Sequence, residues 1–194
     1  MNSLETEHKL INNAFKKIEK FGWDDFNIEK FSKDEKIPLE KVNFFFSTKT
    51  ILLKKFSKMI DHKVELNLSI QDINSSTIKD NLFELIMLRF EEMQIYKNSL
   101  KMIIRSTKDK PILLTQISKN IFNTLDFYLE VARGYDKSIL DVFKKNILFL
   151  IYSYCFNVWL NDSSRDLSKT MSELDRLLSL AEKFLRKFKE ILPI

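Results

Sequence analysis

The sequence predicts an all-α fold on three observations: turn-forming residues are scarce, apolar residues recur at helical spacing, and long stretches carry no breaker. Only 2 Gly and 3 Pro occur in 194 residues, whereas sandwiches and barrels need turn residues at about every tenth position. A content of 44% hydrophobic and 30% charged residues is that of a packed globular chain with a real core.

The elements follow in order. Leu10, Ile11, Ala14, Phe15, Ile18 and Phe21 share one helical face and Gly22 supplies a C-terminal stop, which predicts a first helix over 4–21. A short helix over 27–33 turns Ile28 and Phe31 inward, with Asn27 or Asp25 as cap. Pro38 fits the first turn of a third helix that ends near 46, with Val42, Phe45 and Phe46 on its apolar side. Ser47 and Thr48 can cap a longer helix over 49–68, striped by Leu52, Leu53, Phe56, Met59 and Ile60.

Residues 67–77 are rich in Ser, Asn and Asp without periodicity, so the predicted division falls there, into units 1–66 and 67–194. Beyond it, helices are predicted over 78–93, 96–107, 111–133, 137–161 and 166–192, about nine in all. Pro111 opens one, and Gly134 stands just past the end of that same one. In 159–176, Asp162, Ser163 or Ser164 can break one helix and Ser164 or Asp166 can cap the next, giving a tight helical hairpin.

Several function classes find no support. Cys155 is the only cysteine, so neither an internal disulfide nor a thiolate cluster can form, and its apolar surroundings suggest a core thiol. With no signal-like N-terminus, a cytoplasmic location is expected. The apolar run 147–160 is broken by Ser153 and Asn157 and falls short of the ~20 residues of a membrane span. His8 and His62 lie far apart in sequence and read as surface residues. The adjacent pairs Glu91/Glu92 and Asp24/Asp25 cannot share a helical face. Gly22 and Gly134 stand alone, so no phosphate loop exists. No enzymatic activity, metal or cofactor is predicted.

The net charge of +5 allows an anionic partner without requiring one. Residues 1–64 hold 13 Lys and no Arg against 10 acidic residues, a net +3. Helix, short helix, turn, short helix, long helix is the plan of a helix-turn-helix head, in which the second short helix enters a groove while the first braces it.

The run Phe21-Gly22-Trp23, then Phe46-Ser47-Thr48-Lys49 followed by Ile51-Leu52-Leu53, resembles the N-terminal signature of TetR-type regulators. Further on, 82–90 and above all Trp159-Leu160-Asn161-Asp162-Ser163-Ser164 through Arg176 resemble an alphaproteobacterial TetR-related branch. That branch shares its C-terminal helices with the lipid-binding accessory protein of ubiquinone biosynthesis. The resemblance implies a TetR-like helix-turn-helix head and a larger C-terminal ligand-binding and dimerisation domain. It implies DNA contact through Lys41 and Asn43 on the third helix and Lys49 at the start of the fourth. Three positions depart from the family: Glu35 and Lys36 stand where an Ala-Gly pair is usual, and Asn43 where a tyrosine is common.

The C-terminal half carries a surplus of large rings that can line a cavity or fill a core. Phe127, Tyr128, Phe149, Tyr152 and Phe156 are its candidate ligand contacts, for an apolar or lipid molecule. A second stripe, from Leu174, Leu177 and Leu178 through Phe184 and Phe188 to Ile191 and Leu192, is too wide for one neighbour, and the resemblance implies a homodimer through the last two helices. Two functions stand open: a DNA-binding regulator controlled by a small apolar effector, or a lipid-binding accessory protein, with an isoprenoid or quinone ligand and peripheral membrane contact, whose head no longer addresses DNA.

Overall fold

In the computed structural model, which describes residues 3–191, ten α-helices and one 3-10 turn make up the regular structure, with no strand among the described residues. The helices are α1 Ser3–Phe21, α2 Ile28–Asp34, α3 Leu39–Phe45, α4 Lys49–Asn67, α5 Ile70–Ser75, α6 Ile78–Glu92, α7 Lys97–Arg105, α8 Pro111–Val131, α9 Leu140–Asn161 and α10 Ser168–Ile191. The 3-10 turn Gln94–Tyr96 precedes α7. Leu192, expected in the last helix, lies outside the described residues, as does the side chain of Ile191. Among the described residues no helix is long and apolar enough to cross a membrane.

Local chemistry sets most of the ends. Gly22 adopts φ 89°, a left-handed backbone that closes α1 while its N–H returns to the Ile18 carbonyl at 2.8 Å. Asn27 caps α2, its Oδ1 accepting from the backbone N–H of Glu29 at 2.8 Å and Lys30 at 3.1 Å. At the end of α8 the left-handed position belongs to Arg133, φ 55°, and not to Gly134. Gly134 instead lies close against α8: a Cβ there would sit 2.9 Å from the Leu129 Cδ2 methyl, which would have to shift.

One helix escaped the sequence reading. The Ser-, Asn- and Asp-rich boundary segment 67–77 contains α5, capped by Ser69 Oγ at 3.3 Å from Asp72 N and tied to α6 by Asn81 Nδ2 donating to Ile73 O at 2.9 Å. Six residues are too few to show a period of 3.6.

The chain forms two compact units, 1–63 with 93–120, and 64–92 with 121–194. The segment 93–120, which follows the division expected near 66, packs with the first unit for a visible reason. Tyr96 meets Phe15 and Phe56 edge-on at 5.5 and 5.0 Å, its hydroxyl donates to Asn12 Oδ1 at 2.5 Å, and buried Ser99 Oγ donates to Phe15 O at 2.8 Å. That core also holds Leu10, Ile11, Ile18, Phe31, Val42 and Phe46, each nearly or fully inaccessible.

In the second unit α6, α9 and α10 enclose a column of rings. Phe90 stacks on Tyr152 at 5.4 Å and on Trp159 at 5.6 Å, and Phe156 lies 5.4 Å from Trp159. The turn from α9 to α10 is fastened by Asp162, only 5% exposed. Its Oδ1 accepts from Ser164 N at 2.9 Å and Ser164 Oγ at 2.5 Å, and its Oδ2 accepts from Thr170 N at 2.9 Å and Thr170 Oγ1 at 2.7 Å. The predicted hairpin is present, but Asp162 performs both tasks, breaking one helix and capping the next, with a lighter contribution from Asp166 at 3.2 Å from Ser168 N.

Candidate functional site

The first unit presents α2 and α3 across a tight turn. Lys36 N donates to Lys33 O at 3.1 Å, Ile37 N to Ser32 O at 3.0 Å, and Ser32 Oγ to Ile37 O at 2.6 Å. The turn requires φ 55° at Lys36, where a Cβ is disfavoured. From α1, Asn13 Nδ2 donates to Glu35 Oε2 at 2.7 Å and Lys17 reaches Asp34 at 3.0 Å, so Glu35 is used to hold the turn against α1.

Helix α3 buries Val42 and Phe45 and exposes the rest. Lys41 and Asn43 face solvent with Glu40, and Phe44 is 79% exposed. Beside them lies a concavity of about 490 Å³ lined by Asn27, Leu39, Asn43, Ser47, Thr48 and Lys49. Thr48 caps α4 as expected, accepting from Ile51 N at 3.2 Å.

Lys49 is brought to this concavity but is turned onto protein. Its ammonium donates to the carbonyls of Trp23 and Phe26, the latter at 3.1 Å, with Asp24 O at 3.4 Å, and lies 4.7 Å above the Trp23 ring. Burial lowers its pKa, with Asp24 working the other way. Three carbonyls of one loop thus converge on one cation, which fixes the path from α1 into α2. Asp24 is in turn held by an ion pair with Lys110 and by Ser106 Oγ at 3.2 Å. The bond from Lys110 is the main cause of its lowered pKa.

The second unit contains a half-open apolar pocket of about 370 Å³. Its walls are aliphatic: Ile78 and Leu82 of α6, Leu129 of α8, Leu148 and Ile151 of α9, and Leu178 of α10. Around the mouth stand Lys79, Arg133, Lys144, Arg186 and Lys189, with Asp136 and Glu182. Several of these are paired. Lys79 reaches Asp175 at 2.8 Å, and Lys144 reaches both Asp136 and Asp141 at 2.8 Å, while Lys189 also bonds Asp136. The bonds from Lys144 first, then Lys189 and Ser138, hold the Asp136 carboxyl far below its usual range.

None of the five candidate ligand residues lines this pocket. Phe149 stacks on Phe122 at 4.1 Å. Tyr152 accepts from Arg89 Nε at 3.0 Å and belongs with Phe156 to the ring column. Phe127 and Tyr128 lie 6.2 Å apart, with Tyr128 fully buried. Stacked rings fill space completely, and the opening lies instead where branched aliphatic chains meet the break between α8 and α9. Its one advance signal was Gly134, whose closeness to Leu129 and Ile78 marks the pocket wall. The two histidines, far apart in sequence, are brought together by α1 and α4 with ring centroids 6.3 Å apart. Burial first, against the opposing charge of Glu7, lowers the pKa of His8.

No family model and no curated protein matches the chain. In three dimensions it is similar to a TetR transcriptional regulator from Nitrosomonas europaea, with a TM-score of 0.75 and 16% identity over 92% of this chain and 98% of that one. The backbone is therefore an all-α, TetR-like fold.

Proposed function

We propose that the chain is a TetR-like, DNA-binding transcriptional regulator whose affinity for DNA is set by a small apolar effector. The observation that carries this is the head itself: a braced short helix pair whose second member, α3, presents Lys41, Asn43 and Phe44 to solvent. In this reading Asn43 addresses an adenine edge or a phosphate, Lys41 a phosphate, and Phe44 a thymine methyl. Lys49 sets the height of the loop beneath the duplex and supports DNA contact from there. The functional head is residues 1–66 and the effector-binding and dimerising part 67–194.

The active species is a homodimer through α9 and α10. Leu150, Tyr154, Met171, Leu180 and Phe184 are at least 40% exposed on these helices, while Leu174 and Leu178 of the predicted stripe already serve the subunit's own core. Effector binding changes the spacing of the two heads, which matches DNA only in one state. A gel-shift series on DNA upstream of the chain's own gene is the test. Binding that weakens steeply with salt and further with Asn43→Ala supports the reading, and its absence at low salt removes it.

A second reading is favoured by the same helix. Glu40 opposes phosphate, and an exposed phenylalanine suits a membrane surface. The chain is then a lipid-binding accessory protein of ubiquinone biosynthesis, of the alphaproteobacterial branch, with a degenerate helix-turn-helix and peripheral membrane contact. Mass spectrometry of lipids retained on purification separates the two: an isoprenoid quinone with no DNA affinity selects this one.

A further inference from the structure

We infer that the pocket between α6, α8, α9 and α10 is a binding site for a medium-chain carboxylate, a small amphiphile with an anionic head and an aliphatic tail. The tail follows from the walls. Ile78, Leu82, Leu129, Leu148, Ile151 and Leu178 offer branched aliphatic surface and no polar side-chain atom. At roughly 30 Å³ for each water-sized group, a pocket of about 370 Å³ holds about a dozen non-hydrogen atoms. That is an aliphatic acid of about ten carbons.

The head follows from the charges at the mouth. Lys144 and Lys189 share Asp136, with Asp141 as a further partner of Lys144, and Lys79 has Asp175. Arg133 and Arg186 differ. Among the described residues neither has a carboxylate partner, and Arg133 donates only to the neutral side-chain carbonyl of Asn74. Two guanidinium groups left without carboxylates at the rim of an apolar pocket present planar donor forks, the geometry that receives a carboxylate through paired hydrogen bonds. Glu182 and Asp136 at the same rim disfavour an amphiphile with a second negative charge. A neutral alcohol or quinone leaves the guanidiniums as they are and gains only the tail.

This inference rests on the regulator reading and narrows its apolar effector to one with an aliphatic tail and an anionic head, but its test does not pass through DNA. Full-length protein is titrated with decanoate, with decanol and with decyltrimethylammonium, by calorimetry or native mass spectrometry. Decanoate is expected to bind once per chain, with decanol about tenfold weaker or more, as the loss of a charge-assisted pair implies, and the cation not at all. Arg186→Gln and Arg133→Gln should each bring decanoate toward the affinity of decanol while leaving decanol unchanged. Ala181 also lines the pocket from α10, and Ala181→Trp, which fills it, should remove both. Circular dichroism and melting of each variant establish that it is folded. Equal affinity for decanoate and decanol, insensitivity to Ala181→Trp in a folded variant, or binding only to anionic vesicles overturns the inference. Decanoate binding without DNA binding leaves it standing and removes the regulator, and the converse result does the reverse.

Discussion

Replacing Asp162 with alanine should be among the most destabilising single changes in the second unit. The carboxylate receives four hydrogen bonds, two from Ser164 and two from Thr170. Thr170 is wholly buried, so its N–H and hydroxyl would lose their acceptor with no water to replace it. Each unsatisfied buried group costs ~1–3 kcal/mol, whereas Ser164 is half-buried and water replaces its partner at little cost. The expected loss is thus ~3–4 kcal/mol, a fall in melting temperature of about 10 °C for a chain of this size. Asp162→Asn keeps one oxygen acceptor and should lose about half as much. The ionised form is the one that is bonded. Burial works to raise the pKa, but the bonds from Ser164 and Thr170 prevail and hold it well below the ordinary value. This contribution to stability is therefore complete above about pH 4 and is lost as pH falls below that, through the folded-state pKa. Chemical denaturation of wild type and both variants at pH 7 and pH 3 measures the effect. An alanine variant within about 0.5 kcal/mol of wild type at pH 7 would refute the reasoning, since surface changes have that size.

Three further outcomes are expected. Lys36→Gly relieves a left-handed lysine and should stabilise the first unit by ~0.5–1 kcal/mol in urea denaturation, the gain of ~1–2 in backbone energy being offset in part by glycine's greater freedom when unfolded. Lys49→Met removes the cation from three loop carbonyls and should cost ~1–2 kcal/mol, with hydrogen exchange rising in 22–27 ahead of any other segment. Cys155 is fully inaccessible and burial pushes its thiol up to about 12, so a thiol reagent at pH 8 should label the native protein only as fast as it unfolds.

What the sequence made legible was local. Gly22, Asn27, Thr48 and Pro111 act through chemistry within a turn of themselves, and the helix ends fall where they direct. The helix-turn-helix shape was readable for the same reason, because three amphipathic segments at short spacing leave few other packings. Lys49 was readable as a cation and not as a clamp, since the carbonyls of 23–26 meet it only after α1 and α4 have come together. The ligand candidates Phe127, Phe149 and Tyr152 rest on ring size alone, and the apolar pocket of the second unit is lined by other residues. Rings at these positions find one another, as Phe149 finds Phe122 at 4.1 Å and Tyr152 finds Phe90 at 5.4 Å, and a stacked pair leaves no space for a guest. Space survives where side chains branch and the backbone turns away, which happens at 133–136.

The exposed surface of α3 bears on the choice between the two functions more than its charge does. Phe44 is 79% exposed in the last turn of α3, so replacement by a polar residue would cost packing little. Phe44 touches Phe45 edge-on at 5.2 Å but is not covered by it. A groove and a membrane surface both reward an apolar side chain there, yet they ask different things of its neighbours. A membrane surface asks for further large apolar groups and cations on the same face. Helix α3 instead sets Lys41, Asn43 and the carboxylate of Glu40 around Phe44, with Ser47 and Thr48 just beyond its end. Asparagine, serine and threonine offer both donors and acceptors, which base edges and phosphates use and lipid chains do not. That mixture, more than the modest net positive charge, is why we propose DNA and not a membrane surface as the partner of this head.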